Sequence, residues 1–408
     1  MKKILFVSII FSLFLLGCSG EQKKDGRLKD GRWYGEFALK DANVPFFFEV
    51  EKGDNDSLTV IKLINGEERI PLEGVKYKED SVLIPIQMYD TELRGILQGD
   101  SLKGTFKRLF SDNDPGIPFK AVYGHLPRFQ YDGFSSDTIK GKWDIQFISG
   151  NDVKNNVGIF EQKGDIVTGS ILTTTGDLRY LEGGIDKDGF RLSAFAGLSP
   201  YLIQGRFVDK DRFEGEFITA RGVQKIEGNR NDRATLVDPY SLTKLNKGYK
   251  SLGFSLKNME GKAVSLNDPR YKDKVVIVSI LGSWCPNCLD EMAFLAPWYD
   301  QNRRRGVEVV GIAFERKNDP EYVNRVLSNL IKKYDPKYEI LFGGKLGDET
   351  KVLPEIDGLK SYPTTIFIDK KGVIRKIHTG FNGPATGLFY EEFKTEFNKL
   401  VDGLLTGR

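Results

Sequence analysis

The chain has 408 residues, enough for about two to four domains of ordinary size. Sixty Lys and Arg face 57 Asp and Glu, a net charge of +3, and no basic run or aromatic–basic patch marks it for nucleic acid. The three cysteines, Cys18, Cys285 and Cys288, exclude a disulfide-stapled scaffold and leave one close pair for redox or metal chemistry.

Lys2 and Lys3 precede an apolar run over 4–16, which suits a signal-peptide core and is too short to span a bilayer. It ends in Leu15-Leu16-Gly17-Cys18, which resembles a bacterial lipobox. Residues 1–17 are therefore expected to be a lipoprotein signal peptide, with Cys18 carrying the lipid. Each buried methylene contributes about 0.8 kcal/mol, so several acyl chains anchor durably. Residues 18–29 are polar and read as a tether. The expected address is the cell envelope, lipid-anchored to a bacterial membrane, with the rest of the chain in the periplasm or on the outer surface.

From 30 to 230 the pattern is β, with runs such as Trp33-Tyr34-Gly35-Glu36-Phe37 and Leu58-Thr59-Val60-Ile61-Lys62-Leu63 between turn signals. The region repeats itself. Gly31-Arg32-Trp33 matches Gly141-Lys142-Trp143, Leu72-Glu73-Gly74 matches Leu181-Glu182-Gly183, and Gly104-Thr105-Phe106 matches Gly215-Glu216-Phe217. The offset stays at about 110 residues throughout. We expect two tandem all-β antiparallel meander or barrel units, 30–128 and 139–230, each of about eight strands and closed or strongly curved to avoid bare edges. Trp33 and Trp143 are their expected interior anchors. Neither unit shows a catalytic cluster.

Residues 229–247 read as a second linker, and 248–408 switch to α/β. A hairpin over 253–266 comes first. Residues 275–281 form a continuous apolar run, expected as a strand buried on both faces, and 307–313 are expected as another buried strand. Residues 286–305, 320–334 and 389–405 read as helices, and 364–369 with 373–378 as a strand pair.

Trp284-Cys285-Pro286-Asn287-Cys288 falls where the first central strand meets its helix. A cysteine there faces the backbone N–H groups and positive pole of the helix, which stabilise a thiolate. Pro286 at the first helical position costs no donor. Cys288, one turn further, is placed to resolve a mixed disulfide formed on Cys285. Glu291 follows three residues later on the same face.

Together with the hairpin ending at Leu266 and Tyr362-Pro363-Thr364 before a strand, these residues resemble the thioredoxin superfamily over roughly 250–405. The likeness is to membrane-tethered thiol–disulfide reductases of the TlpA/ResA type within the AhpC/TSA superfamily. His378-Thr379-Gly380-Phe381-Asn382-Gly383-Pro384 is similar to lipoproteins of this type from Bacteroidetes. The resemblance implies a thioredoxin-like fold for 248–408 and a redox-active disulfide between Cys285 and Cys288. It also implies a proton-managing role for Glu291, a cis peptide before Pro363, and substrate contacts at Trp284, Pro286, Tyr362 and Pro363. The expected partners are a disulfide-containing protein substrate and a membrane thiol electron donor; no cofactor or metal is implied. The chain departs from the pattern at Ala293, where these reductases carry a helix-kinking proline, and in the Pro286-Asn287 pair between the cysteines.

Three other functions compete. A thiol peroxidase shares the fold, but it needs a hydroxyl and a preceding proline to bind peroxide, and Leu281-Gly282-Ser283-Trp284 has no proline. Metal carriage through two thiols wants a third ligand, and only His125 and His378 exist. A binding lipoprotein would use the β units to recognise a partner, glycan or lipid.

Overall fold

A computed structural model describes residues 26–52, 59–133 and 135–407. Cys18 and the expected signal peptide lie outside the described residues. Among those described, no helix is long and apolar enough to cross a membrane.

The first unit holds β1 (Gly31–Ala38), β2 (Asn43–Lys52), β3 (Thr59–Asn65), β4 (Glu68–Leu72), β5 (Lys76–Lys78), β6 (Ser81–Ile86), β7 (Thr91–Gln98), β8 (Ser101–Arg108) and β9 (Ile117–Tyr123). They form one nine-stranded sheet in the order β4-β3-β2-β1-β9-β8-β7-β6-β5. The second unit holds β10 (Gly141–Ser149), β11 (Asp152–Lys163), β12 (Ile166–Thr173), β13 (Gly176–Asp177), β14 (Leu181–Asp186), β15 (Gly189–Ala194), β16 (Tyr201–Asp209), β17 (Arg212–Thr219) and β18 (Gly222–Arg230). Here β12 pairs with β11 on one edge and with β13 and β14 on the other, so the sheet closes into a barrel. The first unit has no equivalent seam among the described residues and is an open, curved sheet.

The repeat recurs in detail. Trp33 and Trp143 are fully buried, and each indole N–H donates to the carbonyl four residues earlier, Lys29 at 2.9 Å and Ile139 at 2.7 Å. Gly95 pairs with Gly104, and Gly205 with Gly215. A Cβ on Gly104 would collide with the Arg94 carbonyl, and one on Gly215 with that of Gln204. These strands cross too closely for side chains. Both interiors are filled by side chains, largely Trp, Phe, Leu and Ile.

The two units interlock. Phe195, between β15 and β16, is fully buried in the first unit's core, with ring centroids 4.6 Å from Phe37 and 5.2 Å from Phe106. Buried Asn65 holds its backbone, donating to Phe195 O at 3.1 Å and accepting from Phe195 N at 3.0 Å. Arg128, in the linker, donates to Ser193 Oγ at 3.1 Å and Ile64 O at 3.2 Å, and pairs with Glu182 at 3.0 Å.

The third unit holds β19 (Ser255–Asn258), β20 (Ala263–Ser265), β21 (Val275–Leu281), α1 (Pro286–Asn302), β22 (Val307–Glu315), α2 (Pro320–Tyr334), β23 (Glu339–Lys345), α3 (Glu349–Val352), β24 (Thr364–Ile368), β25 (Ile374–Thr379) and α4 (Leu388–Thr406). The seven-stranded sheet runs β20-β19-β23-β22-β21-β24-β25. Strand β23, which the sequence pattern did not flag, runs parallel to β22 and joins the hairpin to the central strands. On β21, Val275 and Ile277 pack with α1 and α4, while Val276, Val278 and Ile280 pack with Phe254, Tyr271 and Leu353. Both faces of that strand are covered, which accounts for a run that is apolar except at Ser279. Pro297 lies within α1, which continues through it to Asn302.

Candidate active site

Cys285 caps α1 in extended conformation, and its Sγ accepts the backbone N–H of Cys288 at 3.2 Å. The two sulfurs are joined as a disulfide, and the residues are 5% and 2% exposed. Pro286 is the first helical residue. The cap position satisfies an orphan helix donor and places Cys285 sulfur where negative charge is favoured.

Trp284 is half-buried. Its indole donates to Phe314 O at 2.9 Å and meets the Tyr362 ring edge-on at 5.1 Å. The Tyr362 hydroxyl donates to Glu349. The Tyr362–Pro363 peptide is cis, and Pro363 O accepts from Gly380 N at 2.8 Å. The loops carrying Tyr362 and Gly380 are thus fastened to each other.

Glu291 is 3% exposed. It accepts hydrogen bonds from Ser279 Oγ on β21, at 2.6 Å, and from Thr365 Oγ1 on β24. Burial pushes its carboxyl up to about 7, although both hydroxyls favour the charged form.

Sequence reasoning missed a second buried carboxylate, Glu315, at the end of β22. It accepts from Ser283 N and from Ser283 Oγ, both at 2.8 Å, and so fixes the loop entering the cysteine motif. Burial raises its carboxyl to about 7 as well. An acidic residue closing the apolar stretch Val309–Phe314 was the available signal.

His378 is buried on β25 beside Tyr240 and Phe393, and burial lowers it to about 4. His125 is exposed just after β9. Among the described residues, no three His, Cys, Asp or Glu side chains converge to hold a metal.

A helix capped by one cysteine of a disulfide pair and packed on a central mixed sheet is the arrangement of a thioredoxin-like domain. Residues 248–377 match the family model described as the AhpC/TSA family. The chain is 29% identical over 137 residues to the thiol-disulfide oxidoreductase ResA of Bacillus thuringiensis subsp. konkukian, covering 33% of this chain and 70% of that one. It is equally identical, over 136 residues, to the thioredoxin-like protein YneN of Bacillus subtilis, covering 33% and 73%. A solved thiol:disulfide interchange protein of the thioredoxin family from Chlorobium tepidum is 23% identical, with a TM-score of 0.31, covering 39% of this chain and 98% of that one. The C-terminal third thus matches the AhpC/TSA family model and is similar to the ResA proteins.

Proposed function

We propose that this chain is an exported, lipid-anchored thiol–disulfide oxidoreductase that reduces protein disulfides through Cys285 and Cys288. The oxidoreductase class is that of its sequence relatives. The observation that carries the reading is Cys285 at the N-cap of α1, its sulfur accepting the Cys288 N–H.

In the reduced chain the Cys285 thiolate attacks one sulfur of a substrate disulfide, forming a mixed disulfide and expelling the other sulfur as a thiolate. Cys288 then loses its proton and attacks Cys285 Sγ, expelling the second substrate thiolate. Two electrons pass to the substrate, which takes up two protons as it leaves. Glu291 receives or relays the Cys288 proton. Trp284, Pro286, Tyr362 and Pro363 serve as the substrate contacts. A membrane thiol donor restores the reduced pair, and the Cys18 lipid keeps the chain near that donor.

The reading is tested by the reduction potential of the pair and by trapping. Cys288→Ser is expected to accumulate mixed disulfides on Cys285, and Cys285→Ser to be inert. A pair that oxidises dithiols but reduces no protein disulfide, or that turns over peroxide instead, overturns it. For the anchor, Cys18→Ser is expected to block processing and acylation; a membrane-bound, normally sized mature variant refutes that part alone.

A further inference from the structure

The β units reach across the redox pair. The turn after β12 lies on both loops beside the cysteines. Asn287 Nδ2 donates to Thr175 O at 3.4 Å, and Gly383 N donates to Asp177 Oδ2 at 2.6 Å. Gly176 sits so close to Asn287 and the Phe381 carbonyl that a Cβ would collide with both. A Cβ on Gly380, whose N–H is held by Pro363, would also meet the Thr174 carbonyl too closely. From the first unit, the Phe110 ring lies 3.6 Å from the Arg316 guanidinium, which also faces Trp284 at 5.5 Å.

One side chain fastens the turn. Arg179 ion-pairs with Glu68 of the first unit and with Asp290 of α1, the latter at 2.6 Å. Its backbone N–H donates to Asp177 Oδ1 at 2.6 Å, and it holds a left-handed φ of 55°. Asp177 thus ties the turn to the Gly383 loop with one oxygen and to Arg179 with the other. The anchors of this turn on the redox domain are polar or glycine contacts, and of these only the Arg179 ion pairs bind it to both the first unit and α1 at once.

We propose that the 173–179 turn is a fixed collar on the redox pair, latched by Arg179, and that Arg179 is a positioning residue that sets which disulfides reach Cys285. With the latch closed, small disulfides and disulfides on slender segments are admitted; one embedded in a bulky protein surface meets the turn first. This rests on disulfide exchange at Cys285 and names its substrate class.

The test uses the full reduced chain with two oxidised substrates, insulin and the small aromatic disulfide 5,5′-dithiobis(2-nitrobenzoate). Opening the latch increases the competent fraction for the bulky substrate alone. Arg179→Ala is expected to raise the insulin rate about tenfold relative to the small-disulfide rate, which stays nearly unchanged. Arg179→Lys, able to hold one carboxylate but not bridge two, is expected to fall between. Should Arg179→Ala fail to fold, Glu68→Gln removes one anchor from outside the redox domain and is expected to shift the ratio the same way. An unchanged ratio in the folded variants overturns the collar. A parallel change in both rates shows a structural role and overturns it too. A wild type inert to both substrates overturns instead the reading of the redox pair on which the collar rests.

Discussion

Glu291 is buried with two hydroxyl donors and a carboxyl near 7, so its charge state changes in the range where a deep thiol must be deprotonated. Resolution of the mixed disulfide is expected to accelerate as pH rises through about 7 in the wild type. Glu291→Gln is expected to lose that limb and to resolve more slowly, by up to about 10²-fold if the carboxylate acts as full general base. Stopped-flow release of the substrate thiol against pH reads both; superimposable profiles would leave Glu291 without a proton role. The raised value also has a thermodynamic sign. The folded chain binds the proton more tightly than the unfolded one, so this residue's contribution to stability falls as pH rises from about 4.5 to about 7. His378 has the opposite sign. Lowered to about 4, it contributes stability at neutral pH that is lost as pH falls from 6.5 toward 4, about 3 kcal/mol in all. Urea midpoints at pH 4.5 and 7 are expected to differ less in His378→Gln than in the wild type. The disulfide between Cys285 and Cys288 was legible because its motif is local in sequence, and the cis peptide at Pro363 was reached only through the resemblance. Glu315 was not, because its partner Ser283 lies 32 residues away and only the fold joins them.

At the scale of elements, α1 begins where its chemistry needs it to begin. Cys285 supplies the cap and Pro286 the first helical residue, so the break between strand and helix exposes the N–H groups at the sulfur. The β repeat was legible because its tryptophans and glycines do the same work twice. Gly104→Ala and Gly215→Ala are each expected to destabilise by about 1–3 kcal/mol through backbone collision, read as a lowered thermal midpoint. Equal stability to wild type would mean that the close strand crossings are not required. Strand β23 escaped notice because Gly343 and Gly344 interrupt its apolar run. Closure of one sheet and not the other was equally hidden. It depends on β12 pairing along both edges, a long-range register that alternation of side chains does not encode.

Over the whole molecule, the three units share packing rather than hanging from flexible linkers. One apolar cluster runs from the first sheet through Phe195 to Leu289, Met292 and α2 of the redox domain. Removing the Phe195 ring leaves a cavity in the first unit's core, and Phe195→Ala is expected to cost about 3–5 kcal/mol. Because the ring also joins the units, calorimetry of that variant is expected to resolve an early transition of the first sheet; a single unshifted transition would show the units to be independent. None of this was legible in the sequence. Phe195, Arg128 and Arg179 each sit in loops or linkers, where single apolar or basic residues carry no periodic signal.

Phe195 lies more than sixty positions beyond the last strand of the sheet it completes. A ribosome that has released residues 26–128 has therefore delivered every strand of the first sheet but not its central aromatic side chain. Domains otherwise tend to fold in the order of their synthesis. Here the first unit must wait, half-assembled and with an apolar hollow open, until the fifteenth strand has emerged, and the N-terminal half matures as one cohort rather than two.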